Sequence, residues 1–169
     1  MSRAGGPGTT PVVIVRHASA GDRESWAGRD QDRPLDEVGH RQAAALVGLL
    51  RAYDIRRVHS SDFLRCRQTV APLAEALGLE VDVEPLLGER DGLADLDAST
   101  QRLVDLLRRP GAAVLSTQRK VIEAVLPRTL RSLGAPTAGL GSPDKGGLLV
   151  LHVTPEGQVA GLDDVAPPP

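Results

Sequence analysis

Aromatic side chains are almost missing: one Trp, one Tyr and one Phe in 169 residues, or 2%. So few rings exclude the rows of stacking platforms that bind single-stranded nucleic acid, and the core must be built from Ala, Val, Leu and Ile. Cysteine occurs once, at Cys66, which excludes an intramolecular disulfide and fits a reducing compartment. No basic excess is present. The formal charge is −2 and the pI is near 6.1, so the electrostatic footprint of a nucleic-acid binder is lacking. Lysine is scarce as well: Lys120 and Lys145 are the only two among 20 basic residues. No apolar run approaches the roughly 20 residues that span a membrane, and Met1 to Pro11 lacks the apolar stretch of a signal peptide. The expectation is a soluble, cytoplasmic protein with neither nucleic acid nor membrane as partner; the oligomeric state stays open.

The length suits one domain with a real core. Residues 1–11 read as a flexible leader, 12–162 as the domain and 163–169, ending in three prolines, as a tail. Val12 to Val15 is an apolar β-branched run, the pattern of a buried strand. Gly21 to Arg33 has no apolar period and reads as a loop. Asp36 is a plausible N-cap for a helix that buries Ala43, Leu46, Val47 and Leu50, with Gly39 a weak point in its first turn. Ile55 to His59 predicts a strand, with a capping turn at Ser60-Ser61-Asp62. A helix with Leu64, Val70, Leu73 and Leu77 inside follows, stopped by Gly78. Glu80 to Glu84 predicts a short strand, Gly88 to Asp97 a loop, and Thr100 to Arg109 a helix. Ala113 to Leu115 reads as a strand, with Ser116-Thr117-Gln118 capping a helix to about Leu133. Gly134 to Gly147 reads as a loop, and Leu148 to Val153 as a last strand. Alternating strands and helices predict an α/β fold with a mostly parallel sheet.

The first strand stops at Arg16-His17. Ligands of α/β sheets bind beyond the carboxyl ends of the strands, and Ser60-Ser61 and Thr117-Gln118 mark two further strand ends that can converge there. Arginine offers phosphoryl oxygens a planar fork of donors, and a neutral imidazole nitrogen is a competent nucleophile. The pair therefore suggests phosphoryl chemistry, although taken alone it also fits ordinary surface. Arg23, Trp26 and Arg33 can line a substrate entrance, or Arg33 can pair with a nearby acid. The four histidines lack metal-ligand spacing. His40 reads as a surface residue, His59 as a structural one, and Cys66 as a packing residue.

Taken together, Arg16-His17-Ala18, Arg33-Pro34-Leu35 with Gly39 and Gln42-Ala43, and Ser60 to Thr69 resemble the histidine phosphatase superfamily, which includes the cofactor-dependent phosphoglycerate mutases. The small size is similar to the SixA-type members. The segment Thr117 to Ile122 is similar to the histidine phosphatase domain fused to MutT-type Nudix hydrolases of actinobacteria. The resemblance implies a three-layer, phosphoglycerate mutase-like fold with helices flanking the sheet. It also implies a phosphatase with no metal and no cofactor. His17 matches the nucleophile that becomes a phosphohistidine; Arg16 and Arg65 match the arginines that hold the phosphate. Glu89 is the candidate general acid, with Asp91 the runner-up. Gln118 stands where the family usually has a second histidine. Its amide still donates but carries no charge, so the site is either a retuned enzyme or a weakened phosphate-binding module. Lys120 can restore charge or simply face water, and Arg33 can touch substrate. The implied partner is a phosphorylated substrate: a phosphoprotein, a nucleotide or a small metabolite.

Overall fold

Val12 and Ile14 turn to one face of the first strand, Val13 and Val15 to the other, and all four are buried. A strand covered on both sides must lie inside three layers, which is why its sequence is continuously apolar rather than alternating. The computed structural model describes residues 8–169. Its elements are β1 (Thr10–Arg16), α1 (Glu37–Leu50), β2 (Arg57–Ser60), α2 (Leu64–Leu77), β3 (Val81–Val83), α3 (Glu89–Ala94), α4 (Leu96–Arg108), β4 (Ala113–Thr117), α5 (Arg119–Ser132), β5 (Leu148–Val153) and β6 (Val159–Val165). The sheet order is β3-β2-β4-β1-β5-β6. The first four strands run parallel, and β5 and β6 close one edge antiparallel. One apolar cluster joins Val12, Ile14, Leu115 and Leu149 to α4 and α5. The other joins Val13, Val15, Val58 and Val114 to α1 and α2. The α/β, three-layer, mostly parallel architecture is as expected.

Four local expectations need correction. Residues 88–97 are not a loop: they hold α3 and the start of α4, whose N-cap Asp95 accepts from Ala98 N. The cap of α2 is Phe63, with no side-chain capping bond; Ser61 instead accepts from Phe63 N at 3.3 Å. The expected cap of α5 narrows to Gln118, which makes no side-chain capping bond, because Ser116 and Thr117 complete β4. Finally, β1 starts at Thr10 and β6 runs to Val165, so the sheet takes in residues assigned by composition to the leader and the tail. Residues 1–7 of that leader lie outside the described residues. No helix among the described residues is long and apolar enough to cross a membrane.

Candidate active site

Parallel pairing brings two strand ends side by side: Arg16 pairs with Thr117, and His17 N donates to Thr117 O at 3.0 Å. The chain beyond His17 is then tied to α1. Asp36, the expected N-cap, accepts from Gly39 N with one oxygen and from Ser19 Oγ and Gly21 N with the other. Gln42 accepts from Ser19 N at 2.9 Å. A second tie runs to α2, where Thr69 Oγ1 accepts from Ala18 N at 2.9 Å and donates to Arg65 O at 2.7 Å. The backbone beside His17 and that of Arg65 are thereby joined through the Thr69 hydroxyl.

His17 is 7% exposed. Its Nδ1 lies 2.8 Å from Ala18 O, a pure acceptor, so Nδ1 carries the proton and Nε2 keeps its lone pair. Burial pushes the imidazole pKa down from 6.5 to about 3; the Ala18 bond opposes this, and Arg65, Arg16 and Arg33 add to it. The ring is neutral at physiological pH, with the Nε2 lone pair unprotonated. Arg65 approaches that nitrogen with its own Nε at 3.4 Å. Arg16 is fixed by NH1 donating to Pro143 O at 3.0 Å, while its buried Nε has no partner.

A cleft of about 250 Å³ opens over these groups, lined by Arg16, His17, Arg23, Arg33, Arg65, Glu89, Arg119, Lys120 and Lys145, with Gly21 and Asp22 at its wall. Arg33 lines the cleft and pairs with Asp30 at 3.0 Å. Lys120 is exposed and lines the cleft too. Glu89 lines it with its carboxylate 3.5 Å from Arg23, whereas Asp91 pairs with Arg90 at 2.9 Å and is not part of the wall.

Gln118 lies outside that wall at zero exposure. Its Oε1 accepts from Glu89 N at 2.9 Å, which fixes the orientation of the amide, and its buried Nε2 has no partner. An unpaired buried NH2 is costly. His40 is exposed. His59 is fully buried between Glu84 and Arg57, at 3.2 and 3.1 Å, and is structural. Burial pushes the Cys66 thiol up to about 12, consistent with packing alone. Among the described residues, no group of three or more His, Cys, Asp or Glu side chains is placed to hold a metal ion.

The residue that sequence reasoning missed is Asp30. Its carboxylate accepts from Arg23 at 2.8 Å, Arg33 at 3.0 Å and Arg65 at 3.0 Å, and its carbonyl accepts from Arg65 NH1 at 2.8 Å. Arg23, then Arg33 and Arg65, hold its pKa well below the usual carboxylate range. Only the density of Asp and Arg in the loop hinted at such a hub. Arg119 and Lys145 were missed as well, although Arg119 adjoins Lys120 in sequence.

Residues 12–109 match the family model described as the histidine phosphatase superfamily, branch 1. The chain is 38% identical over 160 residues to the 8-oxo-(d)GTP phosphatase of Mycolicibacterium smegmatis, covering 95% of this chain and 49% of that protein. It thus spans about half the length of that curated relative. Among solved structures, the protein histidine phosphatase SixA complexed with tungstate superposes with a TM-score of 0.71 at 20% identity, covering 94% of this chain and 97% of that one. A mycobacterial glucosyl-3-phosphoglycerate phosphatase in complex with VO3 gives 0.68 at 22% identity, covering 94% and 100%. These two likenesses establish a shared fold.

Proposed function

The chain belongs to the histidine phosphatase superfamily, branch 1, and from that premise we propose that it is a metal-independent phosphatase acting through a phosphohistidine on His17. The observation that carries the reading is a neutral imidazole, locked by Ala18 O with its Nε2 unprotonated and met only by the long 3.4 Å approach of Arg65 Nε, inside a cleft walled by arginines. Nε2 attacks phosphorus and the bond from phosphorus to the leaving oxygen breaks. Negative charge spreads over the equatorial oxygens, so positioning and neutralisation do most of the work. Arg16 and Arg65 grip those oxygens, and the buried NH2 of Gln118 supplies an uncharged donor. Glu89 gives a proton to the leaving oxygen. It then takes one from the water that attacks the phosphohistidine, which releases phosphate and restores the imidazole.

Phosphomonoesters fit this chemistry as written, and phosphohistidine fits it with an imidazole nitrogen in place of the leaving oxygen. Similarity to a protein named for a nucleotide substrate favours a nucleotide over a phosphoprotein or a small metabolite. The second reading is a phosphate-binding module with negligible turnover. It is favoured by one fact: Gln118 has no ionisable nitrogen and its oxygen is committed to Glu89.

Turnover of p-nitrophenyl phosphate by the wild type and by His17→Ala separates the two. The phosphatase reading expects p-nitrophenolate release that His17→Ala abolishes, and an acid-labile, alkali-stable phosphoenzyme in quenched mixtures. Equal rates in the two proteins overturn it. If both rates are zero while phosphate still binds, the module reading takes its place.

A further inference from the structure

A second groove, of about 270 Å³, adjoins the catalytic cleft, and Gly21, Asp22 and Arg33 line both. Ala20, Pro34 and Leu35 give it an apolar lining, and Trp26 forms part of its wall. Trp26 is the only tryptophan of the chain and is 39% exposed. Tryptophan is highly buried on average, and here more than a third of the residue is open to solvent at the groove.

This ring is also held still. Its Nε1 donates to Arg29 O at 2.9 Å. The backbone of Gly28 lies so close that a Cβ there would sit 3.0 Å from Nε1 and 3.2 Å from Cε2 and Cζ2 of the indole. Fixing a contact surface before binding removes an ordering cost from association.

Charge sets the direction in which a ligand enters. The catalytic cleft sets seven Arg and Lys side chains against the carboxylates of Asp22 and Glu89, whereas the groove sets Arg33 alone against Asp22 and Asp36. A phosphate is drawn to the first and repelled by the second. Both oxygens of Asp36 are committed to Gly39, Ser19 and Gly21. Asp22, at the edge common to both spaces, accepts from Glu24 N and Ser25 Oγ and keeps lone pairs for N–H donors of a ligand.

We propose that Trp26 and this groove form the leaving-group subsite, and that the leaving group carries a flat, N–H-bearing heteroaromatic ring, as a nucleotide does. The proposal rests on the phosphatase reading and deepens it: the phosphoryl end lies at His17 and the ring stacks on the indole. Base–aromatic stacking tolerates different bases because each offers a flat face, so the groove selects for a ring more than for a particular base.

Because Trp26 is the sole tryptophan, intrinsic fluorescence reports on this subsite without turnover. Guanosine diphosphate, glycerol 2-phosphate and inorganic phosphate are each titrated into the wild type. The expected result is a saturable fluorescence change with guanosine diphosphate alone. In kinetics, Trp26→Leu lowers the preference for guanosine diphosphate over glycerol 2-phosphate (the ratio of their kcat/KM values) about tenfold or more, while Trp26→Phe keeps most of it. A fluorescence signal unmoved by guanosine diphosphate, or an unchanged preference in Trp26→Leu, overturns the proposal. Failure of the wild type to hydrolyse any phosphate ester instead removes the phosphatase reading, and the fluorescence titration still decides the subsite.

Discussion

Arg65 directs its Nε–H at the Nε2 lone pair of His17 across 3.4 Å. The contact is long for a hydrogen bond, and it leaves a cation facing the one nitrogen that would otherwise take a proton. With burial as the larger cause, this keeps the imidazole neutral far below its ordinary range. Imidazole nitrogen NMR at pH 5 is expected to show a neutral ring with the proton on Nδ1, and no protonation of Nε2 until pH approaches about 3. A ring that titrates near 6.5 would contradict this arrangement. The same shift acts on stability. Between 6.5 and about 3 the unfolded chain holds a proton that folded His17 refuses, so acidification through that window destabilises the fold, and the loss is recovered as pH rises.

Asp30 holds Arg65 from the opposite end. NH1 and NH2 of Arg65 go to the carbonyl and carboxylate of Asp30, leaving Nε for His17. Asp30→Asn removes the charge that gathers Arg23, Arg33 and Arg65. A misplaced reacting group costs about 10²-fold in rate, so kcat is expected to fall by that order. Inhibition by inorganic phosphate should change less than kcat, because the arginines remain in the cleft. Steady-state kinetics with product inhibition measure both; a variant with wild-type kcat would show that Asp30 does not position Arg65.

Much of this arrangement is legible in the order of residues alone. The strand ending at Arg16-His17 stands out because a doubly covered strand is apolar along its whole length and stops sharply. Asp36 as a cap and Gly78 as a stop are local chemistry, and both hold. What was not legible depends on distant partners. Asp30 is one acid among several in a polar loop, and only the arrival of Arg65 from α2 distinguishes it. The strand β6 escaped notice because it is an edge strand carrying Gly161, Asp163 and Asp164. Such charges keep an edge from pairing with other chains, and Asp163 meets His152 of β5 at 2.8 Å. Within α3 the only buried residue is Gly92, so no apolar period marks that helix.

Gly39 shows how propensity misleads. As a glycine in the first turn of α1 it reads as a weakness, yet a Cβ there would collide with Ser19 O. That carbonyl also accepts from Asp36 N at 3.1 Å, so neither backbone can withdraw freely. Gly39→Ala is expected to gain at most about 1 kcal/mol in helix propensity and lose about 3 kcal/mol to overpacking, with a loss of activity as the chain after His17 shifts. At Gly48 in the same helix, an added Cβ would meet nothing within 4 Å. Gly48→Ala should therefore stabilise by about 0.5–1 kcal/mol. Urea denaturation of the pair tests the contrast: equal effects of the two substitutions would refute the close approach.

Gln118 divides its amide between two tasks, and each can be removed or altered. Its oxygen receives Glu89 N, which helps place the candidate acid, and its nitrogen is the unpaired buried donor. Gln118→Leu strips both. Loss of one preorganised donor in a dry site costs about 10²-fold in kcat, and the orphaned Glu89 N–H costs about 1 kcal/mol of stability. Gln118→His is more instructive. A neutral imidazole reproduces the division, with one nitrogen accepting from Glu89 N and the other donating to phosphate. A protonated imidazole adds charge but gives up the acceptor, so it must trade the Glu89 contact for a stronger grip on the phosphoryl group. The expected profile is near-wild-type kcat above neutral pH and a gain of about tenfold or more on the acid side, where the ring is charged. A pH series of kcat for the three proteins measures this. Full activity in Gln118→Leu would show that the buried amide serves only the fold, and a flat profile in Gln118→His would show that charge at this position does not limit the rate.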